Sequence, residues 1–156
     1  MPLSTESSSE AQYYVLRLFP GEDLLLELRK FVSEKNIKAA FIASCVGSVS
    51  LCTLRPAGEP CGIELSGKKF EIVSLIGTLE SENNIDIEGN LTDKQDNCHL
   101  HMSVSNENCE VIGGHVLQGC IVRTTAEIVI GSLKSFIFIR KHDDRSGYNE
   151  LFIENK

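Results

Sequence analysis

A chain of 156 residues with a formal net charge of −7 has the size of one domain. Its acidity counts against a phosphate-tracking surface, because affinity for nucleic acid rests largely on cationic side chains. Apolar residues make up 42% of the chain and charged residues 24%, a globular balance that can bury a core without disulfide or metal staples. No apolar run approaches the ~20 residues of a membrane-spanning helix, so no membrane partner is expected.

The opening MPLSTESSSE is polar and serine-rich and lacks the basic flank and apolar stretch of a secretory signal. Residues 1–11 are expected to be a disordered polar tail, with a phosphorylation segment as the alternative, and residues 12–156 a single domain. The six cysteines form no CxxC pair and no zinc-finger spacing. Free thiols in an intracellular, reducing compartment are the expectation, cytoplasmic with the nucleus left open. Cys45, Cys98 and Cys120 lie in apolar or alternating stretches and read as small hydrophobes.

QYYVLRLF, residues 12–19, is rich in β-branched and aromatic residues and reads as a strand ended by Pro20 and Gly21. EDLLLELRKFVSEKN follows as a helix. Leu24, Leu25, Leu28, Phe31 and Val32 share one face, Glu22 and Asp23 suit the positive end of its dipole, and Asn36 suits a left-handed cap. Residues 37–54 lack a helical stripe and are cut by Gly47, which predicts two strands with a bend. RPAGEPCG is a turn region. KKFEIVSLIGTLES predicts a long strand with Phe70, Ile72, Ser74 and Ile76 on one face, and loops are expected around 81–84 and 88–97. After a hairpin over residues 98–119, strands are predicted for GCIVRTTAEIVIGSL and SFIFIRK, and a loop and peripheral segment for the rest. One helix among about seven strands gives an α+β fold, a mainly antiparallel β-sheet covered by one or more helices.

The hairpin CHLHMSVSNENCEVIGGHVLQG carries three of the four histidines. Strands alternate faces, so Leu100, Met102 and Val104 point to the core while His99 and His101 share the polar face. A three-residue loop, Asn106–Asn108, would pair Ser105 with Cys109 and set His115 opposite His99. A two-residue loop would turn His115 away, and a bulge at Gly113–Gly114 would re-aim it. Three neutral imidazoles suit Zn²⁺ and leave a fourth position open; Fe²⁺, Ni²⁺, Co²⁺ and Mn²⁺ share this ligand type. The plain alternative is three polar-face histidines with no ion. His142, in the charged KHDDR segment, reads as a solvated surface residue.

Glu127 lies in RTTAEIVI on the face of Arg123 and Thr125. It reads as a partner of Arg123, a carboxylate orienting a histidine, or a general base for a bound water. Arg17 reads as an ion-pair partner or, with Arg123, as a ligand-binding group for an anionic or polar molecule.

VLRLFPGEDLLLEL, FIASCVGSVSLCTLR, KKFEIVSLIGTLES and, most specifically, HLHMSVSNENCEVIGGHVLQGCIVRTTAEIVI resemble the plants-and-prokaryotes-conserved (PPC) domain family. The resemblance implies a mostly antiparallel sheet and a homotrimer. It implies that His99, His101 and His115 form a metal-binding group, with Glu127 as its neighbour. Plant members carry a basic Arg-Gly-Arg-Pro core for AT-rich DNA, which this sequence lacks, so direct nucleic-acid binding is not expected. The resulting expectation is a trimeric zinc-binding module of unassigned activity for oligomerisation or small-ligand binding. One alternative is a zinc-dependent hydrolase or lyase with Glu127 as candidate base; another is a DNA-associated regulator by analogy with the plant proteins.

Overall fold

The computed structural model describes residues 8–67, 69–81 and 97–156. Its elements are β1 (Ala11–Leu18), α1 (Leu24–Glu34), β2 (Ala40–Arg55), β3 (Ile63–Leu65), β4 (Phe70–Leu79), β5 (Cys98–Ser105), β6 (Val111–Val116), β7 (Ile121–Leu133), β8 (Phe136–Asp143) and β9 (Tyr148–Asn155). The first seven strands form one antiparallel sheet in the order β1-β7-β2-β4-β5-β6, with β3 on β2; β8 and β9 form a separate hairpin. This is the expected α+β arrangement. The sheet also curls until β6 meets the far end of β2, where Arg55 pairs with His115. No helix among the described residues is long and apolar enough to cross a membrane.

Helix α1 starts where its sequence allows the orphan amides of the first turn to be satisfied. The Asp23 carboxylate accepts hydrogen bonds from the Leu25 and Leu26 amides at 3.0 and 3.2 Å. Its other oxygen accepts from the Gly119 amide at 2.7 Å, which ties the helix to the β6–β7 connection. Leu24, Leu25, Leu28 and Val32 are buried against the sheet. Phe31 is only half-buried and meets Tyr14 edge-on, ring centroids 5.4 Å apart. Asn36 takes the left-handed conformation expected of it, φ 50°.

Three expectations change. Residues 40–55 form one strand rather than two, bent by register shifts between Ile42 and Ser44 and on either side of Val49. At Ile42/Ser44 and Val49/Leu51 the extra residue lies in β2, which breaks the alternation that defines a strand in sequence, while at Gly47/Val49 the extra residues lie in β7. In β4 a shift between Ile72 and Ser74 has the same effect. Leu75 therefore enters the core and Ile76, assigned with Phe70 and Ile72, is 59% exposed on the other face. The C-terminal segment is a strand, β9, paired along its whole length with β8. Phe136 and Phe138 of this hairpin pack with Ala39, Leu133 and Leu151 in a second small core. The expected loops at 81–84 and 88–97 fall almost wholly outside the described residues. Of the expected tail, Glu10 accepts a hydrogen bond from the Lys134 amide, and Ser9 from the Ser135 amide. The cysteines are free, with Cys45, Cys52 and Cys120 buried.

A buried ion pair fastens the hairpin to the sheet. Arg140 Nε donates to Glu80 Oε1 at 3.1 Å, with both side chains under 10% exposed (8% and 6%). Arg140 Nη2 also donates to Thr78 Oγ1 at 2.6 Å. Burial pushes the Glu80 carboxyl up and Arg140 pulls it down, with burial the larger effect. A carboxyl raised in the folded state favours folding when protonated, so its contribution falls as pH rises through the ordinary glutamate range. Removing Arg140 removes the opposing pull and steepens that fall. Arg140→Ala is therefore expected to lose about 3–5 kcal/mol at neutral pH and clearly less near pH 4.5. Urea unfolding at both pH values measures this; an equal loss at both would refute it.

Candidate metal centre

The pleat of β5 sorts its side chains in two. Leu100, Met102 and Val104 are buried in the core that α1 completes, while His99 and His101 stand on the opposite face and are exposed. Pairing continues that face across the sheet. His99 lies in one row with Thr78 of β4, Phe41 of β2, Gly131 of β7 and Tyr13 of β1. His101 lies in the next, between Ile76 and His115.

The hairpin loop is longer than expected. It runs over five residues, Asn106–Glu110, so that Ser105 pairs with Val111 rather than Cys109. Asn106 organises it: its side-chain oxygen accepts from the Asn108 and Glu110 amides at 2.9 and 3.1 Å. Cys109 sits in the left-handed region at φ 61°. His115 is consequently opposite His101, not His99. The displacement is two residues, one full period of the pleat, so His115 keeps its face.

The three imidazoles converge. Their ring centroids are 5.0, 5.2 and 5.6 Å apart, and one nitrogen from each falls within 4.8 Å of the others. The Nε2 atoms of His99 and His101 are 3.1 Å apart. Two nitrogens each ~2.0–2.1 Å from a tetrahedral zinc lie roughly 3.3–3.4 Å apart. The donor set and its spacing thus fit one transition ion. Partial burial, then the neighbouring His101, Arg140 and Arg55, push His99 below the ordinary histidine range, with Glu150 pulling the other way. That favours the neutral imidazole, the form that ligates metals.

A cleft of about 390 Å³ opens beside the cluster, where β5 begins and β6 ends. Its walls include His99 and His115, Arg29 of α1, Arg55 of β2, Arg140 of β8 and Glu150 of β9. The residues singled out in sequence as ligand-binding or catalytic stand elsewhere. Glu127 is exposed on β7, opposite Arg17 of β1 and Val46 of β2. Arg17 donates to Thr125 Oγ1 at 3.3 Å and stacks over Phe19. None of Arg17, Arg123 and Glu127 lines the cleft. His142 is a surface residue 3.4 Å from Asp144. Of the cleft residues not singled out in sequence, Arg55 ends β2, Arg29 lies within α1, Arg140 within β8 and Glu150 in β9, and no local pattern brings them together.

Gly77 holds the backbone close behind the site. At φ +136°, a β-carbon there would overlap the His99 carbonyl oxygen and crowd the Leu100 Cα. Gly77→Ala is expected to cost about 2 kcal/mol or more in urea unfolding. It is also expected to shift the ring resonances of His99, His101 and His115 while leaving that of His142 unmoved.

A family model described as the Plants and Prokaryotes Conserved (PCC) domain matches residues 5–134. The chain is 38% identical over 141 residues to the bifunctional protein GlmU of Synechococcus sp. (strain JA-2-3B'a(2-13)). That match covers 90% of this chain but 20% of GlmU, so the chain spans about a fifth of the length of this curated relative. A hypothetical protein from Salmonella enterica has a solved structure with TM-score 0.84 and 39% identity, covering 97% of this chain and 99% of that one. A metal-containing protein from Archaeoglobus fulgidus shares the fold with TM-score 0.71 and 24% identity, covering 96% and 99%.

Proposed function

The chain belongs to the Plants and Prokaryotes Conserved domain family, and we propose that it is a trimeric protein whose His99, His101 and His115 hold one divalent transition ion, zinc by preference. One observation carries this reading: three imidazole nitrogens from a single rigid strand pair lie within 4.8 Å of one another. Zinc suits three nitrogen donors because it has no geometric preference to violate, and three protein ligands leave a position for water or a ligand. The Archaeoglobus relative of the same fold is described as metal-containing, which supports the reading. Protein purified without tag or chelator is expected to carry close to one metal ion per chain by elemental mass spectrometry. The His99→Ala, His101→Ala double variant is expected to carry none. Wild-type protein that stays empty after zinc is added back would sink the reading.

The trimer draws support from the sheet face that bears the histidines. Tyr13, Val15, Val46 and Ile76 are 59%, 80%, 56% and 59% exposed there, on three strands that share that face. Apolar surface of this kind marks an interaction site, and closed symmetry lets copies of one chain cover it. Light scattering is expected to give the mass of three chains for the wild type and of one chain for Val15→Glu. A monomeric wild type would remove the trimer.

Hydrolysis or elimination at the metal is the second reading. It is favoured by the cleft beside the histidines, because a metal-bound water there would face a space large enough for a substrate. Among the described residues the carboxylate on that wall is Glu150, and Glu127 does not line it.

A further inference from the structure

We infer that the cleft beside the histidines binds a small oxyanion, a carboxylate or a phosphate, gripped by Arg55 in a field set by Arg29 and Arg140. Three of the chain's six arginines line this one space of about 390 Å³. They come from three separate elements, α1, β2 and β8, so the fold rather than local composition gathers them. A volume of this size admits a small metabolite.

Arg55 is the sharpest part of the case. It is half-buried, at the end of β2, directly across from His115 in register. Acidic residues outnumber basic ones by 22 to 15. Even so, no ion pair or side-chain hydrogen bond engages Arg55 among the described residues. Arg140, in contrast, is matched by Glu80. A guanidinium presents a planar fork that fits carboxylate and phosphate oxygens two at a time. Its position beside His115 lets a phosphate meet Arg55 with one oxygen pair and the cluster with a third oxygen, and lets a carboxylate divide its two oxygens between them. The second contact rests on the metal reading above; the contact with Arg55 does not. Glu150 on the facing wall adds a negative group, which selects against ligands that carry anionic charge at both ends.

The test follows the arginine Nε–H resonances of nitrogen-labelled protein, full chain, at fixed ionic strength. Inorganic phosphate is titrated in one arm and acetate in the other, with zinc-loaded and zinc-free protein. The Arg55 signal, assigned by its loss in Arg55→Lys, is expected to shift and saturate in at least one arm, and the arm that does so names the oxyanion. The Arg145 signal, which reports a surface arginine, is expected to stay put. Calorimetry is expected to show at least tenfold weaker binding in Arg55→Ala at unchanged zinc content. Should that variant fail to fold, Arg55→Lys keeps the charge without the fork and is expected to lose several-fold. Zinc bound with no saturable shift at Arg55 would overturn the inference and leave the metal reading standing. A saturable shift at Arg55 in protein that takes up no zinc would support the inference while the metal reading fails. Parallel drift of all arginine signals would overturn it as non-specific screening.

Discussion

The pleat of β5 is the constraint on which the rest of the site depends. Leu100, Met102 and Val104 have to enter the core, because leaving three such side chains in water would forfeit about 1.5–3 kcal/mol each. That demand fixes the rotation of the strand. His99 and His101 then have no choice of face, and they stand side by side on the surface turned away from α1. Hydrophobic burial on one side thus positions polar chemistry on the other, with no interaction between the histidines needed to hold them there.

The second constraint is electrostatic. The Arg140–Glu80 pair sits almost dry where the β8–β9 hairpin meets the end of β4, and Arg140 also caps Thr78, the cross-strand neighbour of His99. A buried pair of this kind adds little net stability compared with apolar packing, but breaking it is costly. Its effect is geometric: it pins the hairpin so that Tyr148, Asn149 and Glu150 form one wall of the cleft. The family match ends at residue 134. The histidines therefore belong to the shared domain, while part of the wall facing them comes from a segment beyond it.

Much of this is legible in the residues alone, and what is not has identifiable physical causes. The helix was legible because its apolar spacing and its acidic start are both local signals. The face of His99 and His101 was legible because β5 is regular. The continuity of β2 and the inward turn of Leu75 were not, because a bulge changes the phase of alternation and leaves no mark in composition. The partner of His115 is not legible in pattern, because loop length is set by Asn106 folding the turn around its own side chain. That Arg29, Arg55 and Arg140 line the cleft, rather than Arg17 and Arg123, is hidden for a different reason. Their proximity arises only when the sheet curls and β6 returns to β2, a contact far from local in sequence.

The five-residue turn between β5 and β6 has an evolutionary corollary. Because face is preserved under steps of two, lengthening or shortening this turn by a pair of residues slides His115 along the row without removing it from the cluster's side. A single insertion or deletion that shifted the pairing would carry His115 into the space now filled by core side chains and lift Val116 into solvent. Burial of Val116 therefore confines odd changes to the turn itself, so the core behind the cluster shields the third histidine from drift in the loop.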